Sequence, residues 1–116
     1  MRLVRRQELM TLPAGTLFCS LHEKWVFGGL ELKGETIVSF GRNVDFWCRS
    51  LDWVDADNCG QAIDWLEEMA KDSSVSYPVD SAYQRDGADC DEERLYLVYE
   101  AADTAVLVSD LAALVR

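Results

Sequence analysis

The spacing of apolar and polar residues in the first half of the chain predicts a small sheet. Residues 24–40, KWVFGGLELKGETIVSF, are rich in aromatic and β-branched side chains, which suit a half-buried pleated surface. Lys33-Gly34 divides this stretch into two apolar runs, and a dipeptide of this kind favours a tight turn. We therefore predict a hairpin with its turn at Lys33-Gly34 as the centre of the sheet.

Two-residue alternation, typical of strands, and the 3–4-residue spacing typical of helices predict the other elements. Alternating apolar residues predict strands over residues 16–21, 43–54 and 94–100, although the alternation fades after Cys48 and residues 51–54 fit a strand or a loop. A short helix or helical turn is expected over 5–12. Residues 58–71 repeat apolar side chains at helical spacing, with Asp57 or Asn58 as the cap, and residues 103–115 predict a last helix capped by Asp103. The expected buried residues of that last helix are Leu107, Leu111, Leu114 and Val115.

These elements predict an α+β fold. Strands that follow one another in sequence favour antiparallel pairing, so we expect a small, mostly antiparallel sheet of about four to five strands with two main helices packed on it. A length of 116 residues is that of one domain, which we assign to residues 1–116. Residues 72–93 contain many small polar and acidic side chains and are expected to form a mobile acidic loop.

Charge is unevenly distributed along the chain. The sequence has 11 Lys and Arg against 21 Asp and Glu, a formal net charge of −10. Most of these acids follow residue 50, whereas most of the bases precede it. A negative field of this size repels nucleic acid and anionic membranes and favours a basic partner.

Several other classes of protein are disfavoured. No apolar run approaches the roughly 20 residues that a membrane span requires, so we expect a cytoplasmic protein. The four cysteines form no CxxC pair, and no phosphate-binding glycine motif occurs. We predict no cofactor, no metal and no direct contact with nucleic acid or membrane. A homodimer is left open.

The predicted binding face lies in the acidic second half. Acids on the polar side of the 58–71 helix and in the 80–93 segment could form one negative surface, with tryptophan and tyrosine as anchors. The residues predicted to contact a partner are Asp64, Trp65, Glu67, Glu68, Asp86, Asp89, Asp91, Glu92 and Glu93. Such a surface could imitate a nucleic-acid backbone. The alternative, that the acidity serves solubility alone, is equally compatible with composition.

Two groups of residues have the types that catalysis or metal binding uses. Cys19 and His22 pair a nucleophile with a base, but three residues apart on a strand they face opposite sides of the sheet. Asp55 and Asp57 begin a pattern like a calcium loop that lacks two of its required ligands. We therefore expect no enzyme. A small cysteine- or metal-dependent enzyme and a structural or assembly subunit remain the alternatives.

Several short segments are similar to a group of small bacteriophage and prophage proteins. They are Pro13-Ala14-Gly15-Thr16 with Phe18, Leu30-Glu31-Leu32-Lys33-Gly34-Glu35-Thr36, Asp45-Phe46-Trp47, and Asp91-Glu92-Glu93 before Leu95-Tyr96-Leu97-Val98-Tyr99. The resemblance spans most of the chain and implies a phage accessory protein, a class in which small acidic inhibitors of host defence, anti-CRISPR proteins among them, are frequent. It implies no activity and no site residue.

Overall fold

The computed structural model describes residues 1–23, 26–87 and 93–115, with the backbone alone for residues 22 and 23. The strands are β1 (Arg2–Arg5), β2 (Leu17–Glu23), β3 (Val26–Phe27), β4 (Glu31–Ser39), β5 (Arg42–Ser50), β6 (Gln84–Arg85) and β7 (Leu95–Tyr99). The helices are α1 (Arg6–Thr11), α2 (Cys59–Lys71) and α3 (Ala101–Ala112).

The strands form one antiparallel sheet in the order β1-β7-β2-β4-β5-β6, with β3 paired to β2. The α+β class is therefore confirmed, but the prediction of four to five strands is wrong, because the described residues contain seven. The missed strands β1, β3 and β6 are four, two and two residues long, too short for alternation to reveal them. β7 lies between β1 and β2, inside the sheet.

The central hairpin turns later than predicted. β4 continues through Lys33 and Gly34, and the turn lies at Phe40-Gly41. Lys33 is 1% exposed, so it is a buried strand residue. A Cβ at Gly34 would lie 3.1 Å from the Trp47 Cβ atom, so a larger residue here would require β5 to shift by a few tenths of an ångström. The prediction of a turn at Lys33-Gly34 is wrong. Glycine is favoured both in turns and where strands pack closely, and the local sequence does not distinguish the two.

The core lies between one face of the sheet and α1. Its residues are Val4, Leu9, Met10, Phe18, Phe46, Cys48, Tyr96 and Val98. Phe18, Phe46 and Tyr96 meet edge to face, with centroid distances of 5.8 to 6.2 Å, a geometry that favours each pair beyond its buried area. The three rings come from β2, β5 and β7, so the cluster connects these strands. The helix that covers the core, α1, has only six residues.

The two longer helices bury little. Ala62 is the buried residue of α2, and α3, which contacts β7, has none. Glu100 caps α3 in a capping box with Asp103 at its third position, so the predicted cap lies three residues too late. The predicted burial of the last helix is also wrong: Leu111, Leu114 and Val115 are 58%, 76% and 81% exposed, and Leu107 is partly exposed.

Candidate protein-binding surface

Local sequence determines where α2 begins and which side chains it presents. The Asn58 side chain accepts a hydrogen bond from the backbone N–H of Gln61 at 2.8 Å, and the Gln61 side chain accepts one from the N–H of Asp57 at 2.8 Å. The first bond satisfies a free donor of the first turn and the second fixes the residue before the cap, so the helix begins at Cys59. The helix predicted over residues 58–71 is confirmed.

Three carboxylates form a stripe on α2. Asp64, Glu67 and Glu68 stand at positions i, i+3 and i+4, which share one helix face, and all three are exposed. Like charges at these spacings destabilise a helix by roughly 0.2–0.5 kcal/mol per pair. Lys71, four residues after Glu67 and three after Glu68, offsets this repulsion, so the stripe adds little net stability to the helix.

An aromatic stack borders this stripe. The rings of Trp65 and Tyr77 lie parallel, with centroids 4.2 Å apart and an interplanar angle of 2°. The Tyr77 hydroxyl donates a hydrogen bond to Glu68, and this bond raises the pKa of Tyr77. The segment after α2 is thus tied back to the acidic stripe, and the half-buried Trp65 ring lies beside the carboxylates.

Ion pairs neutralise acids elsewhere in the second half of the chain. Asp80 lies 3.9 Å from Arg49, Asp86 pairs with Arg6, Glu93 with Arg5, Glu100 with Arg2, and Asp103 with the N-terminal ammonium. Within the described residues, the carboxylates of this half that form no ion pair are Asp52, Asp55, Asp57, Asp64, Glu67, Glu68, Asp72 and Asp110. All but Asp110 lie on α2 or within seven residues of it, so the unneutralised charge gathers there.

Asp86, one of the predicted contact residues, points into the protein instead. Its side chain is 8% exposed and accepts hydrogen bonds from the Arg6 Nε at 3.2 Å and the Tyr96 hydroxyl at 3.1 Å. Arg6 also donates from Nη2 to Asp45 at 2.7 Å. The prediction for Asp86 is wrong because the N-terminal arginine, distant in sequence, folds against it.

The remaining predicted contact residues fall into two groups. Glu93 is exposed but forms an ion pair with Arg5, so its charge is already compensated. Asp89, Asp91 and Glu92 lie outside the described residues. The part of the predicted face that the structure brings together is therefore Asp64, Trp65, Glu67 and Glu68.

A cleft runs along the other side of α2. Its volume is about 760 Å³, and its walls include Trp53, Ile63, Leu66 and Tyr83, which are 40–56% exposed. Asp55 and Asp57 belong to the same lining. Ile63 and Leu66 belong to the apolar side of the helix that spacing predicts over residues 58–71. They face a half-open cleft with acidic groups, which helical spacing does not distinguish from a buried core.

Of the predicted pair Cys19 and His22, the described residues include the side chain of Cys19 alone. Cys19 is buried, with its Sγ 3.6 Å from the Tyr99 hydroxyl. Burial raises the pKa of the Cys48 thiol, which keeps it protonated and unreactive. The described residues contain no group of three or more acidic, cysteine or histidine side chains placed to hold a metal.

Two ionisable residues of β4 were not predicted to lie inside the fold: Lys33, which is buried, and Glu31, which is half-buried. The Lys33 Nζ donates to the Gly34 carbonyl at 3.0 Å and to the Thr36 hydroxyl at 2.9 Å, and burial lowers its pKa. Burial likewise raises the pKa of Glu31, whose carboxylate accepts a bond from Ser20 at 3.3 Å. Both are charged residues on a strand. From the alternation of apolar and polar residues alone, both side chains would be expected to face solvent.

Comparison with known proteins does not identify a relative. The chain matches no family model, no curated protein and no solved structure. Among the described residues, no helix has the length and apolar character needed to cross a bilayer. The function is therefore argued from the surface itself.

Proposed function

We propose that this chain is a non-enzymatic phage or prophage protein that binds and inhibits a basic host protein of defence or nucleic-acid handling. The α2 stripe of Asp64, Glu67 and Glu68 is the contact surface, with carboxylates in place of nucleic-acid phosphates. Inhibition of such a protein takes place in the host cytosol.

The observation that carries the proposal is the unneutralised charge on α2. Arg2, Arg5 and Arg6 pair with carboxylates outside α2. The negative charge of α2 is therefore not neutralised, whereas much of the charge in the rest of the second half is. Opposite charge accelerates the encounter with a basic protein and orients it. The Trp65–Tyr77 stack supplies a large, rigid anchor of the kind that concentrates binding energy at interfaces.

Stability alone does not account for this surface. Acids favour the first turn of a helix, yet α2 has none there, and Glu67 and Glu68 lie in its second half. Lys71 in the last turn offsets much of their mutual repulsion, but Glu67 and Glu68 still oppose the helix dipole. Acids in this half of a helix add little to its stability, which supports a role for them in contact with a basic partner.

The test compares two charge-reversal variants with equal changes of net charge. Asp64→Lys/Glu67→Lys changes the stripe and leaves the Glu68–Tyr77 bond intact. The control Glu8→Lys/Asp110→Lys changes exposed acids elsewhere; it also breaks the exposed Arg2–Glu8 pair at 3.4 Å, a kind of contact that contributes at most about 1 kcal/mol. Host proteins retained by immobilised wild-type chain and by the control are purified, and their affinities are measured at 50 and 300 mM salt.

We expect the stripe variant to lose binding to these proteins by at least tenfold, and the wild-type complex to weaken as salt screens the charges. With Lys71 counted, the variant has as many attractive and repulsive pairs at these spacings as the wild type, so its melting temperature should change little. Equal binding by both variants, or affinity independent of salt, would contradict the proposal.

A further inference from the structure

The tip of the β4–β5 hairpin carries an exposed aromatic residue in a strained conformation. Phe40 has a φ of 51°, a region that hairpin turns normally fill with Asn, Asp or Gly, and Gly41 follows at 73°. The Phe40 side chain is 103% exposed, so its ring is packed against none of the described residues. The β4–β5 ladder holds the strained turn in place, but no described residue covers the ring, and an exposed aromatic residue at such a position is a reason to expect a contact outside the chain.

The strand that leads to this tip has a free edge. β4 pairs with β5 along its length, but its pairing with β2 covers only Glu31 and Leu32. Beyond the backbone bonds between Lys33 and residues 15–16, no described strand lies on that side of residues 34–39. Val38 is 60% exposed in this segment. An exposed β-branched edge is a template for pairing with another chain.

An apolar groove lies at the same end of the sheet. It has a volume of about 660 Å³ and runs between the segment before β2 and the first turns of α3. Its apolar lining includes Leu12, Pro13, Leu17, Tyr99, Ala105 and Val108. The groove is large enough for an aromatic side chain and lies open.

The distance from groove to tip is set by the strand. The Gly15 N–H donates to the Lys33 carbonyl at 2.8 Å, which places the groove wall beside Lys33, seven residues before Phe40. At about 3.3 Å per residue the tip extends roughly 23 Å past the groove. A two-fold axis halfway along this extension superimposes the tip of one copy on the groove of another, in both directions at once.

We propose that the chain forms a two-fold dimer in which Phe40 of each copy occupies the groove lined by Leu17, Ala105 and Val108 of the other. The two β4 edges then run antiparallel beside one another. Within one copy the Phe40 ring does not reach the groove, so the contact between tip and groove forms only between two copies.

Charge favours a second copy over a basic partner at this end. Near the tip, Glu35 and Arg42 balance each other, whereas the acidic α2 follows the opposite end of β5. Two chains of net charge −10 repel, and contact through the hairpin end keeps their acidic helices apart. This arrangement also leaves both α2 stripes accessible, so it is independent of the function proposed above.

Sedimentation equilibrium of the purified chain over a range of concentrations tests the proposal. Two variants each remove one half of the contact: Phe40→Asn removes the aromatic tip, and Ala105→Arg places a long cation across the groove. Two controls change similar residues elsewhere: Phe27→Asn alters another exposed phenylalanine, and Val106→Arg alters α3 outside the groove.

We expect the wild type and both controls to dimerise, more tightly as salt screens their repulsion, and the two contact variants to dissociate with at least tenfold weaker affinity. Mixing Phe40→Asn with Ala105→Arg should restore a weakened dimer, because one tip and one groove remain intact. At concentrations where every chain is monomeric, Phe40→Asn should melt about 4 °C higher, since Asn suits the turn. This rise shows that lost dimerisation is not lost folding.

Three results would overturn the proposal. They are a wild-type chain that stays monomeric up to 1 mM, a Phe40→Asn variant that dimerises like the wild type, and an Ala105→Arg variant that keeps the dimer while Phe40→Asn loses it. The last result would place Phe40 in a different contact.

Discussion

Replacing Asp45 by Asn would test the buried network that joins the N-terminus to the sheet. The Asp45 side chain is 4% exposed. It accepts hydrogen bonds from Arg6 at 2.7 Å, from Arg85 at 3.0 Å, and from the backbone N–H groups of Phe46 and Gly87 at 2.9 and 3.2 Å. All of its partners are donors. An Asn amide in either orientation places an NH₂ group against one of them.

The expected cost follows from this mismatch. Breaking a buried ion pair by removing one charge typically costs 3–5 kcal/mol, because the other charge stays buried and uncompensated. Arg6 keeps its bond to Asp86 in the Asp45→Asn variant, so we expect the lower end, about 3 kcal/mol. Against a total stability of roughly 5–15 kcal/mol this is a large fraction. The melting temperature should fall by roughly 15 °C.

The effect should depend on pH in a defined direction. Burial alone would raise the pKa of Asp45, but the backbone N–H groups and the two arginines outweigh burial and lower it below its ordinary value of 3.8. A carboxylate with a depressed pKa in the folded state stabilises the protein above its unfolded pKa. This stabilisation is lost as pH falls through the folded value. The wild-type advantage should therefore be constant from pH 7 to about 5 and shrink below pH 3.8.

Urea denaturation of the wild type, Asp45→Asn and the control Asp110→Asn at several pH values measures these differences. Asp110 is exposed and forms no ion pair within the described residues, so its substitution should change stability by less than about 0.5 kcal/mol. A loss below about 1 kcal/mol for Asp45→Asn at pH 7, or a gap that persists in acid, would refute the reasoning from the buried network.

Two further predictions concern buried groups. Lys33→Met should stabilise the protein by about 1 kcal/mol at pH 7, because an apolar chain of similar shape escapes the cost of burying an ammonium. Burial lowers the pKa of Lys33 below 10.5, so wild-type stability should recover as pH rises toward that value, and urea midpoints between pH 7 and 10 would show the gap closing or contradict it. In a Cys90→Ser background, a thiol reagent should label exposed Cys59 rapidly and buried Cys19 and Cys48 only on unfolding; equal rates at all three would be inconsistent with the described core.

Local pattern was enough for the elements whose signal lies within a few residues. The α2 helix begins at Cys59 and ends at Lys71, within one residue of its prediction, because the cap, the apolar spacing and the helix end are all local. The strands β2 and β7 were found for the same reason. The stripe of Asp64, Glu67 and Glu68 also required only helical geometry, so this part of the candidate surface was predictable.

Long-range contacts decided the rest. Gly34 is a strand residue because Trp47 approaches it across the sheet, and Asp86 points inward because Arg6 folds against it. Phe40 is exposed because the hairpin turn lies at Phe40-Gly41, several residues after the predicted position. Local periodicity does not show which distant residues will pair. The pattern around a residue depends on its sequence neighbours and not on the side chain that contacts it in the fold.

The sequence by itself therefore determined the α+β class, the acidic character and the residues of the α2 stripe, because composition and helical spacing are properties of neighbouring residues. Only the tertiary structure decided which carboxylates are neutralised, which strand edge stays free and where the aromatic tip lies. These features depend on contacts between distant segments, and the free energy of each contact depends on both partners.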